Sequence, residues 1–512
     1  MDSSKPTEPA IEPSAPDLGR VPPPPKTTSL ASNLAWRAAA NWSSQIVSWA
    51  ALLIVVRLLS PSDFGLVGMS VVLFWYLKFL GEFGIMATVI RNRDLSEEAL
   101  AQLNTMGVVF GTSAFLLACL FAYPAARFFK TPGVIPVAVV VCIGLIPFGA
   151  RAVPEGLMNR ELRFKSLTLF DALRDITSAV LTVLLAWLGF RYWALVLGNL
   201  LSDLIRCTVI LSVRPYRYAW PRRATLREPL TFGRRVLVSG FAWSTYNSLD
   251  NVTAGRVLGQ AALGLYAMAW NLANMPLEKI VSLVTTLIPA YLSRVQKDLP
   301  ALRHYVRSLT EAIALTTFPA TIGFALVASE AVPLIMGKKW IGMIAPLQVL
   351  CVYAAVRSIV AILPKVLTAC GNPRFVMRVE VMGLVVMPLS FWIGSHWGLR
   401  GIAFGWVFGY PVIALAEFWK TMKTIQMGVA DYFKALRPAL DGSIAMALMV
   451  GALIRILPAF SPWIRLVIEI GGGAAAYIAT VMLLHRDRAR HFLSIAMRSR
   501  KPRVAEVVVA ES

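Results

Sequence analysis

Two cationic side chains lie within an apolar stretch of the chain, where burying a charge costs free energy. Arg357 and Lys365 fall within residues 342–367, and no acidic residue lies within one helical turn of either. An ionisable group inside a membrane span usually faces a cavity or a partner. We therefore predict that these residues, Arg357 above all, bind an anionic ligand.

Other charges inside apolar stretches have a structural alternative. Lys78 and Glu82 are four residues apart, so they share one helix face and can neutralise each other. Glu278 and Lys279 lie at nearly the depth of Lys78 in the second copy of the internal repeat described below. The matching depth favours a shared cavity, and simple pairing is the alternative.

Two neighbouring stretches carry a mixture of acids and bases. One contains Asp171, Arg174 and Asp175, and the next contains Asp203 and Arg206. A ladder of ion pairs between adjacent helices would satisfy all of them. The alternative is that Arg174 and Arg206 form the basic lining of a cavity that is open to the cytoplasm.

A carboxylate within an otherwise apolar stretch is a candidate for ion coupling. Asp250 lies in a polar patch with Asn251 and Thr253, shortly before Arg256. A buried carboxylate can take up a proton, or it can bind sodium together with nearby oxygens. The alternative is that Asp250 pairs with Arg256 or with another arginine. The coupling ion is thus a proton or sodium, and no motif identifies which.

The chain contains a duplicated unit. Residues 57–69 recur as residues 256–268, with Arg, Leu, Gly, Leu and Met at the same spacing, and each copy lies in a short break between apolar stretches. Duplicated membrane spans are typical of transporters, in which one half rocks against the other. Arg57 and Arg256 begin the two copies, so they are candidates for gating or ion coupling.

The composition places this repeat in a membrane protein, since 57% of residues are hydrophobic and 15% are charged. We predict an all-α polytopic fold of about 14 transmembrane helices, with two pseudo-symmetric six-helix lobes and a final helix pair. The predicted spans are 39–59, 64–88, 100–122, 133–152, 168–189, 192–213, 236–257, 262–289, 309–329, 342–367, 375–396, 401–421, 439–458 and 463–484. The predicted domains are a disordered tail (1–34), an N-terminal lobe (35–213), a basic linker (214–235), a C-terminal lobe (236–424), the helix pair (425–485) and a basic tail (486–512).

The basic residues predict the orientation. Lys and Arg are concentrated in the loops that follow even-numbered spans, which places both termini in the cytoplasm. Much of the net charge of +22 is explained by this bias and by contact with anionic lipids, without nucleic acid. The five cysteines and four histidines share no metal-ligand spacing, so the sequence offers no metal site.

Six segments carry a resemblance to a known family: residues 57–69, Asp250-Asn251, 256–259, 263–277, Gly337-Lys338-Lys339-Trp340 and 369–373. They resemble the Wzx-type polysaccharide flippases, a group within the multidrug/oligosaccharidyl-lipid/polysaccharide exporter superfamily. The resemblance implies a transporter in the inner membrane, without catalytic residues, that moves an oligosaccharide on undecaprenyl pyrophosphate outward by alternating access. Arginine suits its pyrophosphate, because the guanidinium fork matches phosphate geometry. A polysaccharide polymerase and export machinery are the implied protein partners.

Three alternatives remain open. A cation-coupled multidrug exporter of the same superfamily is expected to have twelve spans and a less basic cavity. A membrane polymerase or ligase would normally present a large outer loop, and the predicted outer loops are short. A scaffold for an assembly complex is the third alternative, although it would not need charged spans.

Overall fold

The structure is a computed structural model that describes residues 44–222, 231, 233, 245, 248–285, 298–457 and 460–486. All regular secondary structure in these residues is helical, which confirms the all-α prediction. The first half contains α1 (Ser44–Leu58), α2 (Pro61–Glu82), α3 (Ile85–Arg91), α4 (Glu97–Phe129), α5 (Val134–Ile143), α6 (Leu145–Ala150), α7 (Ala152–Arg160), α8 (Phe164–Trp187) and α9 (Tyr192–Val213).

The second half begins, after residues 248–253, with a π-helical turn (Ala254–Leu258) that leads into α10 (Gln260–Thr285). It continues with α11 (Leu299–Ala331), a second π-helical turn (Val332–Met336), a 3-10 turn (Lys338–Met343), α12 (Ile344–Val360), α13 (Leu363–Ala369), α14 (Pro373–Ser395) and α15 (Gly398–Ile425). The final pair is α16 (Val429–Ile456) and α17 (Pro462–Leu484).

Many of these helices are long enough to span a bilayer. Nine candidate spans occur in the described part of the chain, or ten if the bent pair Val134–Ala150 and Ala152–Arg160 forms one span. A helix occupies each predicted span; half of the seventh lies outside the described residues, and its residues 248–257 are helical. The chain is therefore a multi-pass membrane protein, and the count of fourteen stays a prediction, as do the domain boundaries.

Local sequence fixes where α2 begins. Ser60 caps the helix: its hydroxyl accepts the Asp63 N–H at 3.3 Å, and the Asp63 carboxylate accepts the Ser60 N–H at 2.9 Å. Pro61 follows at the first helical position, where its missing N–H costs nothing. This start places Gly65 in the second turn of α2, where the two halves of the chain meet.

The halves cross through α2 and α10. Gly65 and Gly264 are equivalent in the repeat and lie at this crossing, which leaves no room for side chains. A Cβ atom at Gly65 would lie 1.7 Å from the Gln260 carbonyl oxygen, and one at Gly264 would lie 1.8 Å from that of Pro61. The Gln260 side-chain amide also donates to the Ser62 carbonyl at 2.7 Å. Glycine thus permits direct backbone packing between the lobes.

The final helix pair belongs to the second half. α16 packs along α11, and α17 packs against both. Their shared core is apolar and includes Val327, Ala331, Met446, Val450 and Leu466.

Candidate functional site

The first lobe contains a charged cavity of about 480 Å³. Its lining comes from α2, α3, α6, α7, α8 and α9 and from the short joints between them. The charged members are Lys78, Glu82, Arg151, Glu155, Asp171, Arg174, Asp203 and Arg206. Cations and carboxylates are therefore present in equal number. We call this lining the wall of the first lobe; it is polar and its charges balance.

Most of these charges form ion pairs. Arg206 bridges Glu155 and Asp171 with N–O distances of 2.8 Å each, and its side chain is only 7% exposed. Arg174 pairs with Asp203 at 2.8 Å. The predicted ladder between the fifth and sixth spans is thus present, and the same residues also line the cavity.

Arg151 and Glu155 are part of this network, although the predicted fourth span ended at residue 152 and Glu155 was not among the predicted site residues. They pair at 3.3 Å across one turn of α7. The chain bends by 47° between α6 and α7, and Arg151 and Glu155 at this bend line the cavity. Arg151 and Glu155 are four residues apart, and this spacing could have predicted an ion pair on one face of a helix.

Lys78 does not form the predicted pair with Glu82, since no ion pair between them lies within 4.0 Å. Its ammonium nitrogen lies 4.9 Å from the Trp75 ring centre and 4.8 Å from that of Phe148. Rings attract a cation through their negative faces. Lys78 is therefore held by aromatic groups at the cavity wall.

The second lobe has a polar group of a different kind around Arg357 on α12. We call Arg357 and its neighbours Asn274, Trp270 and Tyr353 the wall of the second lobe. The guanidinium donates to the side-chain oxygen of Asn274 at 3.3 Å. Its central carbon lies 6.0 Å from the Trp270 ring centre and 5.9 Å from that of Tyr353. These rings belong to an aromatic cluster that includes Trp406, 4.8 Å from Trp270 between ring centres. The contacts described for Arg357 are thus with a neutral amide and aromatic rings.

Asp250 lies behind this aromatic cluster and is fully buried. One carboxylate oxygen accepts from the Tyr266 hydroxyl at 3.0 Å and from the Trp406 indole at 3.1 Å. The other accepts the backbone and side-chain N–H groups of Asn251 at 2.7 and 3.0 Å. Asp250 and Arg256 are both described, and they form no ion pair. The predicted pairing of Asp250 with Arg256 is therefore wrong. A bound proton or sodium ion would have to displace one of these donors.

The remaining predicted site residues lie apart from the two walls. Lys365 is exposed on α13 and is not among the contacts described for Arg357. Lys279 lies in α10, and its side chain is outside the described residues. The predicted match in depth between Lys279 and Lys78 therefore stays a prediction.

Arg57 and Arg256 each reach across the molecule from equivalent positions of the repeat. The Arg57 guanidinium donates to the Ile335 carbonyl at 2.7 Å and to that of Leu334, just beyond α11. Trp340 returns the contact by donating to the Val56 carbonyl at 2.9 Å. The guanidinium carbon of Arg256 lies 5.5 Å from the ring centre of Phe128, at the end of α4. Both arginines thus contact the end of the third long helix of the opposite half.

The two walls lie at the same distance from the crossing of the lobes. Trp75, at the cavity, and Asn274, beside Arg357, follow Gly65 and Gly264 by the same number of residues. At the rise of an α-helix this places both about 15 Å along their helices from the crossing. A space between the lobes at this depth would have a charge-balanced wall on one side and Arg357 on the other.

Comparison with known proteins agrees with this architecture. The family described as "Polysaccharide biosynthesis protein" matches residues 54–345, more than half of the chain. The lipopolysaccharide biosynthesis protein WzxC of Escherichia coli strain K12 is 24% identical over 76% of this chain and 77% of its own length. The succinoglycan biosynthesis transport protein ExoT of Rhizobium meliloti strain 1021 is 23% identical over 94% of this chain and 98% of its own.

The fold is similar to that of a solved flippase. The structure of lipid II flippase MurJ in an inward closed conformation covers 88% of this chain and 99% of its own, with a TM-score of 0.71 and 13% identity. At that identity the likeness concerns the fold.

Proposed function

The chain belongs to the polysaccharide biosynthesis protein family, and we propose that it is a flippase for lipid-linked oligosaccharides. Its substrate is an oligosaccharide on undecaprenyl pyrophosphate, moved from the inner to the outer leaflet of the bacterial cytoplasmic membrane. The product serves exopolysaccharide, capsule or O-antigen synthesis, with a polymerase and export machinery as partners. Both termini face the cytoplasm, and the α2–α10 crossing lies on the outer side.

One observation carries the proposal: two polar walls of different chemistry lie at one depth beneath a glycine crossing that joins the lobes. The substrate has two polar parts with different needs. Its pyrophosphate requires positive charge, and its sugars require hydrogen-bond donors and acceptors in balance. Arg357 meets the first need, and the charge-balanced wall of the first lobe meets the second.

The aromatic residues of the second wall support this division. Trp270 is half-buried, stacks near Tyr353 with ring centres 5.8 Å apart and borders Arg357. A ring beside a guanidinium holds its planar fork in place and excludes water from one side. The pyrophosphate would bind Arg357 there while the polyprenyl tail stays in lipid between the lobes.

Alternating access follows from the crossing. With Gly65 against Gln260 and Arg57 against the end of α11, the lobes are joined on the side that the basic loops predict to be external. Rocking the lobes would break these contacts and open that side. A proton or sodium gradient would drive the step, and anionic lipids would contact the basic cytoplasmic loops.

Deletion of the gene tests the function. We expect undecaprenyl-linked oligosaccharide to accumulate on the cytoplasmic leaflet, measured by protection from an impermeant glycan-modifying reagent, while surface polysaccharide disappears. Complementation with the unaltered gene restores both pools. If lipid-linked units still reach the outer leaflet, polymerisation or assembly is the function. If neither pool changes and drug resistance falls, the protein is a multidrug exporter.

A further inference from the structure

A second group of charges, one of them fully buried, lies far along the chain from both walls, where the final helix pair meets α11. It consists of Glu330 on the last turn of α11 and of Arg465 and Glu469 on the first two turns of α17. We refer to these three residues as the Glu330 cluster. By the predicted topology this end of the helices faces the outside of the cell.

The donors of Arg465 are directed mainly at one carboxylate. Its Nε donates to one oxygen of Glu330 at 2.7 Å, and an Nη donates to the other, so the pair is bidentate. This fork-to-fork geometry is the strong form of an arginine–carboxylate pair. Glu330 therefore takes most of the neutralising charge that Arg465 can offer.

Glu469 is left with an incomplete set of partners. Its side chain is 0% exposed, and neither carboxylate oxygen has a hydrogen-bond donor. Its nearest cationic atom is the Nε of Arg465 at 3.6 Å, the same atom that already donates to Glu330. A buried polar group without a hydrogen bond is costly, and a buried unbalanced charge costs more.

The surroundings offer no further cation in the described part of the chain. α16 packs against α17, and its nearest basic residue in that region, Arg455, is exposed and forms no ion pair with the cluster. Lys339, beyond the end of α11, donates instead to the Arg57 carbonyl. Apolar residues such as Val327, Ala331 and Leu466 pack at the same joint. Two carboxylates therefore share one guanidinium in an apolar joint.

We propose that the Glu330 cluster is a proton-binding site, in which Glu469 takes one proton and Arg465 balances the charge of Glu330. The proton comes from water on the outer side and forms an O–H bond on a Glu469 oxygen. That hydroxyl supplies the donor which the pair of carboxylates lacks. With the proton bound the cluster is neutral, and without it one negative charge is buried between α11 and α17.

Proton binding is thereby linked to the docking of the final helix pair on the second lobe. Low external pH favours the neutral cluster and the docked helices. Rising pH removes the proton, and repulsion between the two carboxylates then weakens the contact of α17 with α11. The site is separate from the two polar walls, so it does not depend on the identity of the transported substrate.

Infrared spectroscopy of the full-length chain in lipid nanodiscs tests the site, because a protonated carboxyl group has its own carbonyl stretching band. We expect Glu469→Gln to remove the signal of one protonated carboxyl relative to the unaltered protein. Glu330→Gln should remove it as well, because Arg465 is then available to Glu469, which no longer needs a proton. Glu98→Gln, at an exposed position, is the matched control and should leave the band unchanged.

The variants also separate a proton site from a merely structural contact. Glutamine has the shape of the protonated acid, so Glu469→Gln should fold. We expect the melting temperature of the unaltered protein to fall as pH rises, and that of Glu469→Gln to be independent of pH. Arg465→Gln should increase the protonated signal. An unchanged band in Glu469→Gln would overturn the proposal. So would a melting temperature that rises with sodium in place of choline and ignores pH, which would indicate a metal cation.

Discussion

The two lobes descend from one repeated unit, yet their polar walls hold arginine in opposite ways. In the first lobe, Arg206 and Arg174 contact carboxylates at 2.8 Å. In the second, the contacts described for Arg357 are with an amide oxygen and two aromatic rings. An arginine that neutralises buried acids holds helices together, whereas one beside an amide and aromatic rings has the surroundings of a ligand-binding group. The duplication thus preserved the crossing of the lobes while the two walls diverged.

The largest effect should come from breaking the network of the first lobe. Arg206→Ala leaves Glu155 and Asp171 without their shared cation, and breaking a buried pair costs about 3–5 kcal/mol. Because Asp171 is half exposed, we expect about 3 kcal/mol, the lower end of that range. The measurement is the melting temperature of the purified protein, together with its abundance in membranes.

Arg222→Ala is the control for that change, since its ion pair with Glu98 lies at the surface and is worth less than about 1 kcal/mol. Equal melting temperatures for Arg206→Ala and the unaltered protein would contradict the structural role of the network.

The sequence predicted some of this arrangement, and the reasons for success and failure are physical. Arg174 and Arg206 were placed opposite acids because charge inside apolar helices has few other solutions. Glu155 was not predicted because it follows the predicted span 133–152, in a polar segment that resembles an exit from the membrane. The partners of Asp250 lie 16 and 156 residues away, at Tyr266 and Trp406, and no periodicity brings such positions together.

The internal repeat was also informative. The residues shared by 57–69 and 256–268 predicted that two helices begin at equivalent positions, and the structure brings Gly65 and Gly264 of these helices together. The different partners of Arg57 and Arg256 depend on long-range packing, which a repeated motif does not encode.

The next largest effect concerns transport and not stability. Arg357→Ala should reduce the rate of lipid-linked oligosaccharide export about 10–100-fold, because a hydrogen bond to a charged group contributes about 1.5–3 kcal/mol and each 1.4 kcal/mol is tenfold. Abundance and melting temperature should stay near those of the unaltered protein. The measurement is the rate at which lipid-linked oligosaccharide becomes accessible on the outer leaflet.

Two further variants sharpen that result. Arg357→Lys should restore part of the rate, because it keeps the charge and loses the planar fork. Lys365→Ala removes a cation from an exposed position of the same predicted span and should have little effect. If Arg357→Ala instead lowers abundance as Arg206→Ala does, the two walls do not differ in the way their contacts indicate.

The smallest effect should arise behind the second wall. Tyr266→Phe removes one donor from the buried Asp250 carboxylate. The Trp406 indole, which also donates to the Tyr266 hydroxyl at 3.1 Å, and Asn251 still donate to Asp250. Loss of one hydrogen bond to a charged group should lower the free energy of unfolding by about 1.5 kcal/mol. Tyr432→Phe is the matched control, because its hydroxyl is equally buried and donates to the neutral Ile359 carbonyl at 3.1 Å. A larger loss in Tyr266→Phe than in Tyr432→Phe would show that Asp250 is ionised and held by its donors. Equal losses would indicate a neutral acid, and the second lobe would then carry a proton behind the wall that presents Arg357.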